Sequence, residues 1–224
     1  MNQLWPWLTL FGLGAYHGVN PAMGWLFAVA LGLQEKSRRA VLRAVPPIAL
    51  GHALSIAIVV VLLWLARASI PERPLRYGAA AILFGFALYR LLRFRHPNWV
   101  GMRVGFRDLT LWSFFMASAH GAGLMLVPVL LAWPQANAAD SLIHGGHASH
   151  SGHLALLHTP TGKSPLQGLA AVGTHTLGYL AVATLIALLV YEKLGVAILR
   201  RAWLNLDLIW MIALMVSGAL ILLL

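Results

Sequence analysis

The chain contains no cysteine. That excludes disulfides, thiolate metal ligands, iron–sulfur clusters and a cysteine nucleophile. Acidic residues are almost missing too: 6 Asp and Glu stand against 16 Lys and Arg in 224 residues. A soluble domain carries about 25 % charged residues, whereas this chain is 10 % charged and 60 % hydrophobic. Several apolar runs reach about 18 residues or more, the length at which a helix crosses the hydrocarbon core of a bilayer. The expectation is an all-α, polytopic membrane protein with almost no soluble domain. The first apolar run is too long for a removed signal peptide, and it lacks the basic start and small-residue cleavage site of one. A net charge of +10 could suggest nucleic acid. The basic residues lie in short connections beside apolar runs, however, so a lipid surface is the expected partner.

Six transmembrane helices are expected, over residues 4–33, 45–66, 76–94, 108–133, 166–190 and 204–224. The first, third and fifth connections hold Lys36, Arg38, Arg39, Arg43, Arg90, Arg93, Arg95, Arg103, Arg107, Lys193, Arg200 and Arg201. The second and fourth hold only Arg67, Arg73, Arg76 and Lys163. Basic loops stay on the cytoplasmic side. The chain should therefore sit in the inner (plasma) membrane with both termini outside, in the periplasm of a Gram-negative cell. Trp5, Trp7, Trp64, Trp99, Trp133 and Trp203 fall near expected span ends, where interfacial belts form.

The first span reads as interrupted. Gly12, Gly14, Gly18, Pro21 and Gly24 crowd its middle. Proline removes a backbone hydrogen bond, and a break in lipid survives only where it is buried in protein or lines a wet cavity. The plainer alternative is a proline kink with glycines for close helix packing.

Four histidines fall inside expected spans: His17, His52, His120 and His175. An ionisable group in a bilayer is costly and usually functional. They form two matched pairs. His17-Gly18 and His120-Gly121 lie in the first and fourth spans, and His52-Ala-Leu54 and His175-Thr-Leu177 in the second and fifth. The pattern suggests a 3+3 repeat, residues 1–107 and 108–224. Three helices per unit is an odd number, so the second unit would enter the membrane inverted, the plan of many transporters.

Neutral imidazole is a common transition-metal ligand and suits nickel, cobalt, copper and zinc. Asn20 and Met23, beside His17, would add an amide oxygen and a thioether. Ser55, Ser118, Thr174 and Thr176 would bond to the ligands. The fourth connection, 134–164, is expected outside. It carries His144, His147, His150, His153 and His158, a histidine-rich tract of the metal-binding kind. Three other roles fit membrane histidines. Pairs of imidazoles can hold haem for electron transfer. A membrane metalloenzyme would normally need a base beside its metal, but Asp108 and Asp207 fall near span ends and Glu192 in a loop. An assembly factor delivering metal to a metalloenzyme partner would share all these features. Depth counted from the expected span ends makes His52 shallowest, His120 intermediate, and His17 and His175 deepest.

The run His17-Gly18-Val19-Asn20-Pro21 resembles the first-helix motif of nickel/cobalt permeases of the NicO/RcnA type, in the LysE-like transporter superfamily. Six spans and a histidine-rich loop are similar to that group as well. The resemblance implies a divalent transition-metal permease, possible as a homo-oligomer. The chain departs from the motif where relatives carry an acidic or polar residue before the proline and a second histidine after it. Asn20 and Met23 hold those positions, and a thioether suits a softer ion such as copper(I).

Overall fold

The computed structural model describes residues 4–92, 105–133, 165–194 and 206–223. All the elements there are helical. They are α1 (Trp5–Val19), α2 (Trp25–Glu35), α3 (Arg38–Ser69), α4 (Glu72–Leu92), α5 (Phe106–Ala119), α6 (Val127–Leu131), α7 (Pro165–Leu189) and α8 (Leu206–Leu223).

The first apolar segment is two helices joined by a single 3-10 turn, Pro21–Met23. Its backbone groups are nonetheless provided for, as a water-poor interior demands. The Oδ1 of Asn20 accepts from the Ala22 N–H at 2.9 Å. The Val19 carbonyl accepts from the Trp25 indole at 3.1 Å, and the Met23 carbonyl from the Tyr179 hydroxyl at 2.6 Å. Gly24 then turns the chain into α2 at φ +123°, where a Cβ would also lie 2.5 Å from Ile48 Cγ2. Only glycine fits both conditions.

A second break, which the sequence reading ran straight through, separates α5 from α6. The expected span 108–133 is bent by 51° there. Gly121 adopts φ +68°. The Ala122 N–H bonds to the Ala117 carbonyl and the Gly121 N–H to that of Ser118, both at 3.0 Å, the paired bonds of a Schellman cap. His-Gly thus does two jobs. In α1 it stays inside the helix, and in α5 it ends one.

Helix pairing is controlled by small residues. A Cβ on Gly14 would strike the His175 carbonyl of α7, one on Gly18 the Tyr179 carbonyl, and one on Gly178 the Phe11 carbonyl of α1. Gly14 and Gly18 are four residues apart, so both face α7 and the backbones touch. Gly51 gives α3 the same close approach to α5 at the Thr110 carbonyl. Ser113 adds a bond to the Ile48 carbonyl at 2.6 Å, and Ser55 meets Ser118 at 2.9 Å. α4 also packs on α8, α3 crosses α7, and α2 packs on α3 and α7.

The outer face is apolar and the polar groups are inside. Leu8 is 70 % exposed, Ile82 61 % and Leu177 62 %, while all four span histidines are 0 % exposed. This inverts the arrangement of a soluble protein. Three helices are long and apolar enough to cross a membrane: α3, α4 and α7 with its final turn. Counting bent α5–α6 as one span makes four, and α2 and α8 are shorter apolar helices. The second expected span also begins earlier than 45. Arg38, Arg39 and Arg43 belong to α3, which runs 32 residues through Pro46 and Pro47. The first connection shrinks to Lys36, at φ 48°, and Ser37.

Gly178→Leu should overpack the α1–α7 contact and cost about 1–3 kcal/mol. Thermal unfolding in detergent checks it, with Gly12→Leu, where a Cβ meets nothing, as the neutral comparison. Equal melting of the two variants would refute the close-contact reading.

Candidate functional site

Each site histidine is placed by a helix contact described above. His17 projects from the glycine-faced part of α1. Its Nδ1 lies 2.7 Å from the Leu13 carbonyl. A carbonyl only accepts, so Nδ1 carries the proton and Nε2 keeps its lone pair. That Nε2 has no partner among the described groups, and neither has either ring nitrogen of His52. His175 lies beside the Leu10 carbonyl without a bond of good geometry from either nitrogen.

Three of the four rings form one cluster. The His17 and His175 centroids are 4.8 Å apart, and His52 lies 5.5 Å from each. The expected depth ordering therefore fails. α3 starts seven residues before its expected boundary, and this puts His52 level with the other two. His120 sits just past the end of α5, where its Nδ1 is 2.8 Å from the Met116 carbonyl. That repeats the bond His17 makes to the residue four before it. Trp210 of α8 joins His120 to the cluster. Its ring centroid is 4.3 Å from His17 and 5.9 Å from His120, and its indole N–H donates to the His120 carbonyl.

Two aromatic residues at the site escaped the sequence reading. Trp210 stacks on Tyr16 at 5.1 Å, and Tyr179 stacks on His52 at 4.1 Å. Tyr179 lies one turn beyond His175 on α7, which was the available signal. Trp210 had none, because its immediate neighbours from Leu208 to Val216 are all apolar. Asn20 and Met23 are both buried. The Asn20 oxygen caps the 3-10 turn, and the Met23 carbonyl receives Tyr179. Ser55 and Ser118 bond each other, and Thr176 bonds the Val172 carbonyl of its own helix. These hydroxyls brace helices where bonds to imidazole were expected.

No carboxylate approaches the cluster among the described side chains. Glu35 pairs with Arg43 at 2.8 Å, Glu72 with Arg76 at 2.5 Å and Glu192 with Arg38 at 3.3 Å. Asp108 accepts from the Gly105 N–H at 2.9 Å. All four are exposed. Nor, among the described residues, do three His, Cys, Asp or Glu side chains converge as ligands of one ion. The rings stand next to one another and do not share a focus.

Two cavities lie along α3, neither lined by a residue of the cluster. One of about 370 Å³ lies beside Glu35, Arg43, Pro47 and Phe106. One of about 40 Å³ lies beside Val60, Trp64, Arg67, Trp133 and Gln167. His52 falls between them in sequence. The expected loop ligands His144, His147, His150, His153 and His158 lie outside the described residues. No family model, curated protein or solved structure matches the chain.

Tyr179→Phe should keep the stack on His52 and lose the bond to the Met23 carbonyl. A loss of about 1 kcal/mol is expected, read as a lower melting temperature in detergent. Unchanged melting would mean that the hydroxyl does not fasten the broken segment.

Proposed function

We propose that the protein is a membrane permease that passes a transition-metal ion through a histidine-lined midplane site. One observation carries the reading: three fully buried histidines from three helices touch one another beside a broken helix, with ring nitrogens unused. Buried polar groups are normally hydrogen-bonded, and imidazole nitrogens left without partners suit an exogenous ligand. His17 is the best prepared. Its Leu13 bond fixes the tautomer and leaves Nε2 ready to coordinate. The ion is cargo, and the rings must rotate to converge on it. His120 would join through the Trp210 bridge.

Six crossings fit this function, with α1 and α2 as one broken crossing and α8 as the last. The 3+3 inverted repeat is supported by the pairings. α1 on α7 is the counterpart of α5 on α3 when the halves are exchanged, while α4 on α8 and α3 on α7 map onto themselves. Both first helices of the units carry a histidine bonded to the carbonyl four residues back, and both break just after it. Sites on broken helices between inverted repeats are a recurring transporter plan.

The cytoplasmic assignment of the odd connections rests on charge. The helix ends holding Lys36, Arg38, Arg39, Arg43, Arg107 and Lys193 lie together, opposite those of Arg67, Arg73 and Arg76. The histidine-rich loop then faces outward, to collect or release metal. Haem ligation gains no support from the rings, which pack on one another and on Tyr179 and Trp210.

Replacing His17, His52 or His175 by alanine should reduce metal accumulation in expressing cells at least tenfold, measured by elemental analysis. Full accumulation in all three variants would overturn the permease reading. Deleting 144–158 should weaken apparent affinity and spare maximal flux. The natural lack of cysteine allows a clean topology test. A cysteine at Arg73 should react with an impermeant maleimide on intact spheroplasts, and one at Lys36 only after lysis. The reverse pattern would invert the orientation.

A further inference from the structure

We infer that the cargo is a soft monovalent cation, copper(I), and not a divalent ion. The inference rests on the permease reading and narrows it. The histidine cluster is fully buried, and the four described carboxylates lie away from it, exposed in pairs or a cap at helix ends. The cost of taking an ion out of water grows with the square of its charge, so a divalent ion costs about four times as much as a monovalent one. None of the described carboxylates stands at the cluster to offset that difference.

Donor chemistry favours the same ion. A thioether selects copper(I), whereas carboxylate and carbonyl oxygen suit hard divalent ions. Met23, 1 % exposed, lies on the broken segment that follows His17, and its carbonyl is held by Tyr179, the residue that stacks on His52. Its thioether is the sulfur nearest His17 in the sequence.

Purified full-length protein in proteoliposomes tests this. Flux of copper(I), kept reduced with ascorbate under nitrogen, is compared with that of zinc(II), nickel(II) and cobalt(II). The expected result is copper(I) flux at least tenfold above each divalent ion, abolished in His52→Gln and reduced several-fold in Met23→Leu. Divalent flux equal to or above copper(I) flux would overturn the monovalent assignment and leave the permease standing. No protein-dependent flux of any ion would overturn the permease itself. Should His52→Gln fail to fold, the comparison of ions on the unmodified protein still decides.

Discussion

Everything at the centre of the molecule depends on the backbone contact between α1 and α7. Gly14, Gly18 and Gly178 let the two helices touch at their carbonyls. Side-chain packing would hold helix axes farther apart, at the usual 8–10 Å or so. The closeness brings His17 against His175 at 4.8 Å and carries the Tyr179 hydroxyl to the Met23 carbonyl. One small-residue contact thus sets both the spacing of the imidazoles and the anchoring of the broken segment. The α3–α5 contact at Gly51 plays a similar part for His52.

The breaks follow from a second constraint, that backbone polar groups in a dry interior must find partners. At Asn20–Gly24 these come from side chains: an asparagine, an indole and a tyrosine hydroxyl. At Gly121 they come from the backbone itself, through a Schellman cap. The first solution ties the break to α7, so motion of that segment must release the Tyr179 bond. The second is tied to a neighbour as well, because the Trp210 indole of α8 donates to the His120 carbonyl.

The membrane character was plain in the composition, because a chain with six carboxylates and long apolar runs has no other stable setting. The first break was legible as well, since proline and glycine act locally and their effect needs no neighbour. The break after α5 carried Gly121, Gly123 and Pro128 as signals, but glycines read equally as packing residues and proline is tolerated in the first turn of a helix. The start of α3 was missed because the basic residues Arg38, Arg39 and Arg43 were assigned to the first connection. Arg38 and Arg43 instead pair with Glu192 and Glu35, which allows a helix to begin beyond the apolar stretch. Thr176, one residue from His175, points to a different helix face and bonds its own helix at Val172, while Ser55 and Ser118 find each other across the α3–α5 contact.

The sequence by itself determined which polar groups lie inside: in an apolar chain, four histidines have no solvent to retreat to. It also determined where the first helix must break, because proline and glycine limit their own backbone. Only the tertiary structure decided which histidines meet, because ring-to-ring distance depends on glycine contacts between segments more than 150 residues apart. It alone brought Tyr179 and Trp210 to the cluster, because an aromatic residue in an apolar helix carries no mark of its partner. And it alone kept the described carboxylates away from the cluster, because each of those side chains found a cation or a backbone N–H at the helix ends first.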